Sequence, residues 1–371
     1  MNSKMKWNAR CSRVVLIVCI LWFVSVPSSK AGLRTESQTS SWAQRSSLAV
    51  NSLQSWYDDQ TGLYRTTGWW NAANIITTLA DYSRITGSQE YRSTFQTTLL
   101  AAQKTHPGFI NRYYDDEGWW ALAWIDVYDL TSDPQYLTLA ESIFLDMSGG
   151  WDDTCSGGIW WSKDRKYKNA IANELFLSAA AHLARRATRP QDRAMYRSWA
   201  NREWQWFSHS QMINADHLVN DGLSESCENN HRTTWTYNQG VIVGALAELY
   251  RTSHNPAFLS NARMITEATL SAPALTDAQG ILHDSCEPNC GADGTQFKGI
   301  FVRNLRSLDE IAPLPRYEKF VYANADSIWK GAQAPGYYLG PVWVAPFGVA
   351  DASTQSSALD TLITAAELSK H

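Results

Sequence analysis

Three aspartate doublets, each followed by a tryptophan doublet, carry the chemistry this sequence offers. Asp58-Asp59 precedes Trp69-Trp70, Asp115-Asp116 precedes Trp119-Trp120, and Asp152-Asp153 precedes Trp160-Trp161. Two carboxyl groups are what a glycosidase uses to break an acetal bond, and flat rings stack on the CH faces of sugars. Aspartate ahead of a helix also caps it and complements its dipole, so each doublet must be judged by its surroundings. Asp58-Asp59 and Asp152-Asp153 read as turn formers, with Gly62 and Gly157-Gly158 close behind them. In Tyr113-Tyr114-Asp115-Asp116-Glu117-Gly118-Trp119-Trp120 the acids stand within four residues of a helix read from Gly118, which makes Asp115 and Asp116 the catalytic candidates. Neighbouring Cα atoms lie about 3.8 Å apart. Diverging side chains reach the ~5–5.5 Å carboxyl gap of a retaining glycosidase more readily than the ~6.5–9.5 Å gap of an inverting one. Glu117 reads as a solvent-facing or first-turn dipole partner.

The elements that must hold these residues are helices of two kinds. Segments from Gly68, Gly118, Lys168, Thr236, Gln296 and Gln355 are apolar or small on most faces, which a helix needs when it is buried on most faces. Amphipathic segments near 43–56, 89–104, 134–147, 192–209, 257–270 and 316–332 alternate with them. Six inner and six outer helices in hairpins predict an all-α, single-domain (α/α)6 barrel over residues 32–371, with the inner-helix N-termini opening on one face. At that face Trp119, Trp120 and Trp161 are candidates for sugar stacking. Asn169, Tyr237, Asn238 and Gln239 stand at inner-helix starts, where amides are costly to bury unsatisfied and suit hydroxyl recognition. Lys298 is a further candidate for a sugar hydroxyl, and His182 reads as a core histidine.

The composition agrees with a carbohydrate site, since 18 Trp, 16 Tyr and 11 Phe are far more rings than a core of this size requires. Residues 1–31 read as a secretory signal peptide: four basic residues ahead of a thirteen-residue apolar run from Val14 to Val26, and a small-residue cleavage pattern at Ser29-Lys30-Ala31. That run is shorter than the ~20 residues a membrane span needs. The rest holds 27 basic and 36 acidic residues, a net charge of −9 that does not suit nucleic acid or anionic membranes. The polar C-terminus, LITAAELSKH, lacks the hydrophobic tail of a lipid-anchor signal. A secreted, unanchored monomer is expected. Its four remaining cysteines predict two disulfides, with Cys286–Cys290 as a local clip and Cys155–Cys227 as the long-range bond. No metal-ligand spacing, phosphate loop, dinucleotide fingerprint or serine elbow occurs, so no metal or cofactor is expected.

YYDDEGWWALAW, together with GGIWW at 157–161, KNAIANELF at 168–176, TYNQG at 236–240 and FKGIFVRNL at 297–305, resembles glycoside hydrolase family 76, the endo-α-1,6-mannanases, in its fungal secreted form. The resemblance runs from about residue 41 to 365. It implies an (α/α)6 barrel and a retaining mechanism with Asp115 as nucleophile and Asp116 as general acid/base. The implied substrate is the α-1,6-mannan backbone of yeast and fungal walls. A transglycosylase of the same family and a non-catalytic mannan-binding protein are the alternatives.

Overall fold

The computed structural model describes residues 40–370, so the segment read as a signal peptide lies outside the described residues. The elements alternate as the periodicity requires: α1 (Trp42–Gln54), α2 (Trp69–Thr86), α3 (Arg92–Ala102), α4 (Tyr114–Thr131), α5 (Pro134–Ser148) and α6 (Ala170–Arg186). They continue as α7 (Pro190–His209), α8 (Thr236–Ser253), α9 (Pro256–Thr269), α10 (Phe297–Asp309), α11 (Pro315–Gly331) and α12 (Ala352–Leu368). Each even-numbered helix packs on the next even one, and α12 closes the ring against α2. The odd-numbered helices lie outside this ring. Twelve helices among the described residues thus form the (α/α)6 barrel.

Local chemistry explains where these helices begin. Four outer helices, α5, α7, α9 and α11, start with proline at the first position, where the missing N–H has no partner to lose. Ser41 and Asp351 form reciprocal capping boxes with Gln44 and Thr354. The inner helices are buried almost all round, as their composition demands: α12 hides fifteen of its seventeen residues. Two short hairpins, Tyr57–Asp58 with Leu63–Tyr64 and Gln333–Ala334 with Tyr338–Leu339, are added to the barrel. In the first, the Asp58 carboxylate accepts the Gln60 N–H at 2.9 Å, a turn-forming role.

Disulfides join Cys155 to Cys227 and Cys286 to Cys290, both as expected. The Asp152 doublet is structural as well. Lys168 is 2% exposed, and its ammonium donates to the Asp152 carboxylate at 2.8 Å and to the carbonyls of Thr154, Gly157 and Gly158. Burial opposes ionisation of Asp152, but hydrogen bonds from Lys168 and Trp160 outweigh it and pull its pKa down to about 2. No helix among the described residues is long and apolar enough to cross a membrane.

Several carboxyl groups inside the ring have the opposite bias. Burial raises Asp126 to about 7 and Glu117 to about 8, and Asp284 and Asp360 to about 6 each. Glu248, although buried, is held near 2 beside Arg185 and Arg186, each 2.8 Å away. A carboxyl whose folded pKa is raised stabilises the fold fully below its unfolded pKa and loses that contribution as pH rises through the folded value. The melting temperature is therefore expected to be highest near pH 5 and to fall towards pH 8. Below pH 4 the Glu248 and Asp152 contributions disappear in turn. Scanning calorimetry from pH 3 to 9 checks this, and a melting temperature that rises between pH 5 and 8 would contradict it.

Candidate active site

A cavity of about 510 Å³ opens where the N-terminal ends of the inner helices meet. Asp115 and Asp116 line it from the first turn of α4, which starts at Tyr114, four residues earlier than read from the sequence. The start is set by the neighbouring loop. Tyr114 N–H donates to the Trp161 carbonyl at 2.9 Å, and Lys163 N–H to the Arg112 carbonyl at 2.9 Å, so the Trp161 loop is zipped to the entry of α4. Acids in a first helical turn meet the positive end of the helix dipole.

Each acid has its own donor. The Trp161 indole N–H donates to Asp115 Oδ2 at 2.9 Å, while Asp115 Oδ1 is buried without a partner. Asn111 Nδ2 donates to Asp116 Oδ2 at 2.5 Å, and Asn111 Oδ1 accepts the Tyr113 N–H at 2.7 Å. Glu117 is wholly buried, which corrects the solvent-facing reading. It accepts the Asn111 N–H at 3.3 Å and pairs with Lys163 at 2.9 Å, fixing the turn that presents Asn111. Burial and then the charge of Asp116 raise Asp115 to about 8. Burial raises Asp116 to about 6, its Asn111 hydrogen bond acting against this and the charge of Asp293 with it. The pair therefore holds one proton near neutral pH. The general-acid role that the resemblance implies needs that proton on Asp116, whereas in the free site the stronger upward pressure falls on Asp115, whose second oxygen has no donor.

Aromatic rings make the floor and rim. Trp119 is 3% exposed and lies at the bottom, with Trp70 at 5.6 Å and Tyr237 at 6.4 Å in stacked orientations. Tyr237 stacks in turn on Phe297 at 3.8 Å. Trp161 and Tyr113, each 37% exposed, form the rim. Asn169 also lines the cavity, but its Oδ1 caps α6 by accepting the Ala172 N–H at 3.3 Å.

Four candidates lie elsewhere. Trp120 is wholly buried between Trp69, Phe109 and Trp124, because its neighbour Trp119 takes the cavity-facing position and the next residue on a helix points about 100° away. Gln239 spends its amide on the backbone, bonding Val219 N and O at 2.8 and 2.9 Å, and so tethers a loop. Asn238 is fully buried outside the cavity wall. Lys298 is 1% exposed, paired with Glu287 at 2.5 Å and bonded to the Pro341 carbonyl at 2.8 Å, and cannot reach a sugar.

The structure also adds residues that the sequence did not single out. Asp221 lines the cavity, held by the Tyr167 hydroxyl at 2.5 Å and the Trp235 indole at 3.2 Å. Asp293 lines it from the opposite side, and its Oδ1 accepts the Trp70 indole N–H at 2.9 Å. A larger groove of about 1110 Å³ runs alongside past Trp160 and Tyr167. Its carboxylates, Glu225 and Glu228, are exposed loop residues, so acid/base chemistry belongs to the smaller cavity.

The chain and its fold have relatives among known proteins. The chain is similar to the mannan endo-1,6-alpha-mannosidase of Saccharomyces cerevisiae, 25% identical over 340 residues that span 81% of this chain and 72% of the relative. Its fold matches the alpha-1,6-mannanase of Salegentibacter sp. with a TM-score of 0.80 at 25% identity, covering 88% of this chain and 99% of that one. An inactive variant of that mannanase, with two consecutive aspartates replaced by asparagine, was solved with alpha-1,6-mannotriose; it matches with a TM-score of 0.79 at 24% identity, over 88% and 99% of the two chains. The model of glycosyl hydrolase family 76 matches residues 41–370, and the chain belongs to that family.

Proposed function

We propose that this glycoside hydrolase is an endo-acting α-1,6-mannanase that works by double displacement, with Asp115 as nucleophile and Asp116 as general acid/base. The observation that carries the reading is the half-buried pair on the first turn of α4, lining a cavity floored by stacked rings. The mannan named for the Saccharomyces relative and the mannotriose bound by the inactive bacterial variant support the substrate.

In the first step the Asp115 carboxylate attacks C1 of a mannosyl unit, and the C1–O bond to the leaving chain breaks. Cationic character developing at C1 favours ionised Asp115, so the shared proton moves to Asp116 and from there to the leaving oxygen. In the second step Asp116 takes a proton from water, whose oxygen attacks C1 and frees Asp115. Two inversions leave the configuration unchanged. The chemistry requires only these two side chains and water. The two disulfides suit an oxidising compartment and support secretion.

Chromatography of linear α-1,6-mannan digests tests the reading. Oligosaccharides of many lengths early in the digest are expected. Mannose alone would overturn endo action, larger adducts with added acceptor would favour transfer over hydrolysis, and no products at all would leave only a mannan-binding role.

The pH dependence of kcat/KM should be bell-shaped, with limbs near 6 and near 8 that belong to the pair. Asn111→Ala removes a donor that favours ionised Asp116, so the acid limb should move to higher pH, with kcat/KM at the optimum about tenfold lower. An unshifted limb would show that Asn111 serves the turn alone.

A further inference from the structure

We propose that Asp293, presented by the loop that Cys286–Cys290 closes, is a third carboxylate of the site and accepts a hydroxyl of the sugar bound across Asp116. The inference rests on the mannanase reading and extends it to a residue and a disulfide which that reading leaves without a role.

The loop is built to hold one position. At its start Asp284 accepts the Thr236 N–H at 2.9 Å and the Thr236 hydroxyl at 2.6 Å, which ties it to the first turn of α8. Glu287 pairs with the buried Lys298 on α10. The disulfide then turns the chain, and Gly294 passes so close that an added Cβ would lie 2.9 Å from Cys290 Cβ and 3.1 Å from Cys286 Sγ. Asp293 is the residue before this contact. Its Oδ1 takes the Trp70 indole N–H, and Oδ2 has no hydrogen-bond partner among the described residues although the side chain lines the cavity. An anchored carboxylate oxygen facing sugar-sized space is an acceptor for a hydroxyl.

The same carboxylate acts on Asp116 through space. The titratable groups that line the cavity around Asp116 are Asp115, Asp221, Asp293, Tyr113, Tyr167 and Tyr237, and the buried Glu174 is near enough for its charge to act on Tyr237. Among the described residues no Lys, Arg or His lines the cavity, and Lys163 is spent on Glu117 and Asp146. Asp293 is therefore an uncompensated negative charge that favours protonated Asp116, opposing the amide of Asn111.

Separate variants read these effects one at a time. Asp293→Ala should raise KM for α-1,6-mannotetraose about tenfold, the loss of one charge-assisted hydrogen bond. The Cys286→Ser/Cys290→Ser pair should raise KM too, yet add nothing in the Asp293→Ala background, because both act through one side chain. Additive effects would overturn the positioning role of the clip. Asp293→Asn should lower the Asp116 titration midpoint, followed by carboxyl ¹³C NMR in sugar-free enzyme, with Asn111→Ala moving it the opposite way. KM for Asp293→Ala within twofold of the unaltered protein, or an unmoved Asp116 midpoint in Asp293→Asn, would overturn the proposal. If the unaltered protein fails to cleave mannotetraose, the mannanase reading falls, and the midpoint still decides whether Asp293 acts on Asp116.

Discussion

Asp115→Asn should lower turnover on every substrate by about 10⁴-fold or more, since no other group can form the bond to C1. Asp116→Asn should cost about 10²–10⁴-fold on mannan, where the leaving oxygen needs a proton. With an aryl mannoside whose leaving group needs no protonation, its first step should be largely spared and the glycosyl-enzyme should accumulate. Asp58→Asn and Asp152→Asn act on turns, so their effects should appear in the melting temperature rather than in kcat. Steady-state and burst kinetics on the four variants check this ordering, and full activity in Asp115→Asn would contradict it.

Gly299→Ala carries the largest expected effect on stability. At this position α10 passes so close to α12 that an added Cβ would lie 2.4 Å from the Ser357 carbonyl oxygen and 2.5 Å from Ser357 Cα. Both are backbone atoms of a helix buried on nearly every face, so neither can yield without moving the helix. Overpacking of this kind costs about 3 kcal/mol. The Gly299 N–H also donates to the Ser357 hydroxyl at 2.9 Å, a bond that separation of the helices would break. Chemical denaturation measures the loss, and a change below about 0.5 kcal/mol would mean that the ring is looser here than the distances imply. Gly87 has open space around it, although its φ of +75° makes it a helix terminator, and it shows how differently one residue type can act.

The barrel was legible because its two helix kinds differ in composition over whole segments. The entrance of α4 was read late because Gly118 looks like a helix boundary. Within α4 it is instead the point where Leu175 packs, 2.6 Å from where a Cβ would stand. Of the residues that line the cavity, Asp115, Asp116 and Trp119 were legible from one short motif, Trp161 from a second at 157–161, and Asn169 and Tyr237 from their places at inner-helix starts. The same rule misplaced Trp120, Asn238 and Gln239, since it names a helix end and not a face. Lys298 was misread because its partner Glu287 comes from a loop whose path the sequence does not reveal. Asp221, Asp293 and Asn111 were missed for the same reason: the first two reach the cavity, and Asn111 reaches Asp116, from irregular backbone held by tertiary contacts. Trp70 was visible only as part of a tryptophan doublet at the start of the inner helix read from Gly68, behind acids read as turn formers.

The measurement that bears most directly on the assignment of Asp115 and Asp116 is ¹H NMR of the first reducing ends released from α-1,6-mannotetraose, recorded before mutarotation equilibrates the anomers. Double displacement at Asp115 predicts the α anomer in excess at the earliest times. Initial release of the β anomer would contradict it, because a single displacement by water inverts the configuration at C1.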